Sequence, residues 1–104
     1  MSQLYIRPFM VKGNTVNLAV TATTGNVAVT RPSVGIQSMR IANIGTQTIF
    51  VNFGTSAVAA VLATSMPILP NTVETFCLQN EVTYVAAIAA STGSTMYITT
   101  GESA

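Results

Sequence analysis

Three carboxylates, four cations and one thiol are the charged or readily ionised side chains of this 104-residue chain, and histidine, aspartate and tryptophan are absent. Glu74 and Glu81 flank one apolar run. If that run is extended at about 3.3 Å per residue, their carboxylates stand roughly 20 Å apart, too far to act as an acid–base pair on one bond. Glu102 lies in a polar tail. A Ser-His-Asp triad has neither its base nor its orienting acid. A Ser-Lys dyad would have to recruit Lys12, whose neighbours Gly13 and Asn14 read as a turn with a solvated charge. Zinc lacks its usual ligands, calcium would find three scattered glutamates, and the glycines form neither G-x-G-x-x-G nor a P-loop. The chain is therefore not expected to be an enzyme or to hold a cofactor or metal.

Cys77 is the only cysteine, so an intramolecular disulfide is impossible. Flanked by Phe76 and Leu78, with no cationic neighbour in sequence, it reads as a small buried thiol. The arginines leave two readings open. Arg40 could pair across strands with Glu74 or Glu81, a contact worth about 0–1 kcal/mol at a surface. Alternatively Arg7, Arg31 and Arg40 reach carboxylates on a partner, which suits the forked guanidinium.

These few charges must be carried by a scaffold that is otherwise almost free of ions. Charged residues are 7% of the chain and the net charge is +1, where about a quarter is ordinary for a soluble domain. Nucleic acid and anionic membranes, which select clustered Lys and Arg, are not expected as direct partners. Mean hydropathy is +0.53, yet the longest apolar run considered, "AVAAVLA" from Ala57 to Ala63, falls far short of the roughly 20 residues of a spanning helix. The start "MSQLYIRPFMVKGN" lacks a charged leader followed by a long apolar core, so no signal peptide is expected.

The apolar pattern has period two along most of the chain. "TVNLAVTA" sets Val16, Leu18, Val20 and Ala22 on one face. "NVAVTR", "QSMRIANI", "QTIFVNF", "TVETFCL", "VTYVAAIAA" and "STMYITT" continue the alternation, in the Thr, Val, Ile, Tyr and Phe that a pleated surface favours. "KGNT" and "TGNV" offer Gly-Asn pairs suited to hairpin turns. "NIGTQ", "NFGTS", "QNE" and "STGS" punctuate the rest. About eight to ten short strands in a single all-β domain, residues 1–104, predict a small antiparallel β-sandwich or barrel. "TSAVAAVLATS" alone is ambiguous between a turn or two of helix and an extended link. The likeness of Val58–Met66 to Val85–Met96 needs no duplication to explain it in a chain so biased toward Ala, Val and Thr.

Pro67 and Pro70 in "MPILPNTVETF" remove amide donors, so Met66–Pro70 cannot be a central strand. It reads as a protected edge that presents Ile68 and Leu69 to an interface or a core. A P-x-x-P ligand is formally present but has no flanking cation. Uncharged sheet edges invite pairing, so a homo-oligomer or a subunit of a larger assembly is expected. Residues 1–12 read as a docking arm or edge strand, and the expected interface residues are Tyr5, Arg7 and Phe9 with Ile68, Leu69 and Asn71.

Three segments, "MRIANIGTQTIFVNFGTS", "TSMPILPNTVETFCL" and "YVAAIAASTGSTMYITTGE", resemble small tailed-bacteriophage proteins encoded among virion structural genes. The likeness runs from Met39 to Glu102, about three fifths of the chain. It departs at Gly101-Glu102-Ser103-Ala104, where that pattern has a second glycine. The resemblance implies a capsid decoration, or cement, protein: a jelly-roll-like sandwich that binds the major capsid protein, stabilises the shell and resides on the virion surface after synthesis in the host cytoplasm. The competing class is a tail or tail-fibre module that binds a receptor or sugar, for which Tyr5, Tyr84 and Tyr97 are the candidate aromatics, or a head-completion subunit.

Overall fold

The computed structural model describes residues 10–30, 37–79 and 81–102. Eight strands run in order: β1 (Met10–Val20), β2 (Gly25–Ala28), β3 (Gln37–Gly45), β4 (Ile49–Gly54), β5 (Met66–Ile68), β6 (Thr72–Cys77), β7 (Tyr84–Ala89) and β8 (Ser94–Glu102). They form two four-stranded sheets, ordered β1-β8-β3-β6 and β2-β7-β4-β5, with every pairing antiparallel. Each connection except β4–β5 passes from one sheet to the other. That order is an eight-stranded jelly roll; strand count and alternation predict the small antiparallel sandwich, and the jelly-roll order is what the resemblance implies.

Alternation explains the core. Met96 and Ile98 of β8 and Met39 and Ile41 of β3 face inward and are fully buried, against Ile49 and Val51 of β4, Ile68 of β5 and Val85 and Ala87 of β7. The rings of Phe53 and Phe76 meet across the two sheets, centroids 5.4 Å apart and edge to face at 62°. Such a pair contributes about 0.5–1.5 kcal/mol beyond its burial. Phe76→Leu is therefore expected to lower the unfolding free energy by about 1 kcal/mol, read from urea denaturation.

Two expected hairpins are not hairpins. β1 runs unbroken through Lys12-Gly13-Asn14 and absorbs them as an irregularity. Val11 lies opposite Gly101 and Thr15 opposite Thr99, so four steps along β1 match two along β8. The Gly-Asn pair that tolerates a tight turn serves equally well in a bulge. In "TGNV", Gly25 and Asn26 already belong to β2. The reversal comes earlier, where the Thr23 amide donates to Thr21 Oγ1 at 3.2 Å, and it carries the chain to the other sheet.

"TSAVAAVLATS" is neither helix nor strand. It is a strap over the outer face of the β2-β7-β4-β5 sheet. Asn26 Nδ2 donates to the Ser56 and Val58 carbonyls at 3.0 and 3.2 Å, and Asn52 Nδ2 donates to the Ala59 carbonyl at 3.0 Å. The Ala60 amide donates to Thr24 Oγ1 at 2.8 Å. Asn26 and Asn52 flank Ala86 in register, and Ala86 is fully buried although it lies on the outward side. A methyl group is small enough to let the strap lie flat.

The edges are blunted rather than left open. β2 and β5 are only four and three residues long, and β5 carries Pro67. β1 is bent by its irregularity. β6 places Glu74 opposite the buried Ile41, on the core-facing side of an edge strand, yet leaves it exposed. Short strands, proline, bulges and inward-pointing charge are the usual devices against edge pairing. Cys77, expected in the core, is exposed. The core-facing position of β6 falls to Phe76, so its neighbour points outward.

Candidate docking face

Among the described residues no strap crosses the outer face of the β1-β8-β3-β6 sheet, although Ser38 and Gly101 at one end of it are buried. Register sets Asn17, Tyr97, Ala42 and Val73 in one row across it, and Thr15, Thr99, Arg40 and Thr75 in the next. A third row holds Ala19, Thr95 and Ile44. Four of the large apolar side chains exposed on the molecule lie here: Val11 (64%), Ile44 (50%), Val73 (47%) and Tyr97 (39%). Thr15 and Thr99 join hydroxyl to hydroxyl at 2.7 Å. Among the described side chains Arg40 is the one charge on this face.

At the centre is an open depression of about 180 Å³ lined by Val11, Arg40, Ala42, Val73, Tyr97 and Thr99. The cross-strand pairing of Arg40 with Glu74 is not formed. Arg40 stands opposite Thr75 and Thr99, whereas Glu74 stands opposite Ile41, and adjacent residues of a strand point to opposite faces. Glu81 lies in the segment between β6 and β7 and is exposed. No group of three His, Cys, Asp or Glu converges on a metal site among the described residues.

The expected interface residues divide. Tyr5, Arg7 and Phe9 lie outside the described residues. Ile68 is a core residue with no exposed surface, because the inward side of β5 has to close the sandwich over Ile49. Leu69 is 60% exposed, on the turn that carries β5 into β6. Asn71 on the same turn has φ +58°. Its amide donates to the Asn43 carbonyl at 2.7 Å, and its Oδ1 accepts from the Gly45 amide at 3.4 Å. It is a turn-former, the role asparagine fills in left-handed backbone. The depression itself was not anticipated. Its residues are outward-parity positions of β1, β3, β6 and β8, and only strand order shows that they meet.

No family model matches the chain, and no curated protein does. Among solved structures it is similar to a de novo designed double-stranded β-helix, with 13% identity and a TM-score of 0.51, over 84% of this chain and 97% of that one. It is also similar to part of the IMPa metallopeptidase from Pseudomonas aeruginosa, with 13% identity and a TM-score of 0.50, over 94% of this chain but only 13% of the metallopeptidase. At such identity the likeness is one of fold.

Proposed function

We propose that the protein is a non-enzymatic virion component that binds a tailed-phage capsid through the open sheet face and stabilises the shell. One observation carries the reading. Among the described residues, one broad face of the sandwich is strapped by the chain itself, while the other leaves Val11, Ile44, Val73 and Tyr97 exposed around one described charge, Arg40. The resemblance of Met39–Glu102 to small virion proteins supports the same reading. A preformed β-face loses little conformational freedom on docking, and many identical copies convert modest affinity into avidity. Blunted edges turn association away from strand pairing and toward faces.

The test is cosedimentation with empty shells of the phage that carries the gene. Binding to expanded shells but not to unexpanded ones is the expected result. Absence of binding to either, or a few copies confined to a vertex or tail, would overturn it. Residues 1–12, read as a docking arm or edge strand, enter the same assay. Deleting residues 2–9 is expected to weaken shell binding at least about tenfold, a change of about 1.4 kcal/mol, with the far-ultraviolet circular dichroism of the sandwich unchanged.

A further inference from the structure

We propose that the strap turn and the β5 edge form a contact between copies of this protein, in which Val61, Leu62, Met66 and Leu69 of one copy pack against the same residues of a second. That a second copy is the occupant rests on the docking reading above. Eight large apolar side chains are exposed among the described residues. Four belong to the open face, and these are the other four.

The fold does not require them to be apolar. The strap is held to its sheet by Asn26, Asn52 and Thr24, and the side chain it buries is Ala60. Beyond that anchor the chain closes a tight turn. The Val61 amide donates to Ser65 Oγ at 2.9 Å, and the Val61 carbonyl accepts the Thr64 and Ser65 amides at 3.2 and 2.9 Å. Such a turn ordinarily shows polar residues to water. This one shows Val61 and Leu62, in a preformed geometry that loses little freedom on docking. Ser65 leads directly into Met66, so the pair stands at the start of β5.

Position and charge name the occupant. β5 and β6 are edge strands on one side of the sandwich, joined by a turn in which Thr72 Oγ1 donates to the Leu69 carbonyl at 2.7 Å. The patch therefore runs along the flank, and Leu69 and Val73 carry it toward the open face. A molecule docked by that face turns this flank toward its neighbours on the shell, which are copies of itself. No charged residue stands between Arg40 and Glu74 in sequence, so a twofold contact of this patch buries no charge from either copy. It is self-complementary, as an isologous interface needs. Pro67 withholds an amide from the β5 edge, so side chains make the contact rather than a continuous sheet. Four side chains and a turn make a small interface, in the class below about 1,200 Å² that holds transient complexes. Association is weak in solution and is reinforced where copies are crowded on a shell.

The direct experiment is a dilution series of ¹⁵N-labelled protein from millimolar to micromolar concentration. Concentration-dependent amide shifts are expected at Val61, Leu62, Ser65, Met66 and Leu69, with a matching rise in average mass by sedimentation equilibrium. Leu62→Glu and Leu69→Glu are each expected to weaken association at least about tenfold, because like charges would meet unpaired across the twofold. Both should keep the parent's urea midpoint, since both side chains are already exposed. A protein that stays monomeric at millimolar concentration, shifts at Ala42, Tyr97 and Thr99 instead, or association undiminished in both variants would overturn the contact. In the shell assay the parent should fill expanded shells cooperatively, and Leu62→Glu should fill them without cooperativity at unchanged first-site affinity. Cooperativity that survives Leu62→Glu sinks the contact and leaves the docking reading standing. Failure of the parent to bind shells sinks the docking reading, and the dilution series still decides the contact between copies.

Discussion

Gly45→Ala is expected to cost about 3 kcal/mol or more, a large share of the stability of a domain this size. Gly45 has φ +142°, and a Cβ there would lie 2.1 Å from the Gly93 carbonyl oxygen and 2.6 Å from Ser94 Cα. Both are backbone atoms and cannot rotate away. Backbone conformations so unfavourable to L-residues cost about 1–3 kcal/mol even without a clash, and a domain of this length has roughly 5–15 kcal/mol in all. The corner cannot open cheaply, because the Thr46 amide donates to the Gly93 carbonyl at 3.1 Å. Beside it, the Gln47 amide donates to Ser94 Oγ at 2.9 Å while Ser94 Oγ donates back to the Gln47 carbonyl at 2.8 Å. Gly93→Ala is the comparison. Its φ is +132°, but the nearest atom to its added Cβ is Thr46 Oγ1 at 2.8 Å, a side-chain oxygen that can turn aside. Urea denaturation should rank Gly45→Ala well below Gly93→Ala, and Gly93→Ala below the parent. Equal midpoints for the two variants would show that the approach of the β3–β4 and β7–β8 turns is not what holds this end together.

The same corner shows what sequence could and could not reveal. "NIGTQ" and "STGS" are legible as turns, because glycine and small polar residues interrupt alternating apolar runs. That they dock on each other is not legible, since it depends on β3 and β8 being neighbours in one sheet. Period two fixes which residues of "QSMRIANI" and "STMYITT" face inward, and Met39, Ile41, Met96 and Ile98 are buried as that parity requires. Parity also marks Arg40 and Tyr97 as outward. Their convergence on one depression follows from register, Arg40 with Thr99 and Ala42 with Tyr97, which no local pattern contains. Ile68 shows the converse: beside an exposed Leu69 it suggests a paired surface, yet the two adjacent residues point to opposite sides. For "KGNT", one Gly-Asn pair satisfies a hairpin and a bulge alike, and the choice is made by the partner strand.

Asn43→Asp is the second large effect, and it examines the polar pin on which this end of the sandwich turns. Asn43 is fully buried, and its Nδ2 donates to the Gln47 carbonyl at 2.8 Å and the Ile68 carbonyl at 2.9 Å. It thereby ties the β3–β4 turn to the end of β5, while its own carbonyl accepts the Asn71 amide. The amide orientation is set by these two acceptors, and Oδ1 is left buried without a partner. Aspartate keeps the shape and removes both donors, so the Ile68 carbonyl loses its Asn43 donor at about 1–3 kcal/mol, the Gln47 carbonyl is left with Ser94 Oγ alone at a smaller cost, and a charge enters an apolar site that offers it nothing. A loss of at least about 4 kcal/mol is expected, measured by urea or thermal unfolding. Asn43→Leu separates the contributions. It too forfeits both donated bonds, but it buries no charge and removes the unpartnered Oδ1, so its loss should be clearly smaller. If leucine costs as much as aspartate, the loss belongs to the two carbonyls alone. If neither variant moves the midpoint, the corner is held by the packing of Ile41, Ile68 and Met96, and Asn43 is a tolerated passenger in a core that closes without it.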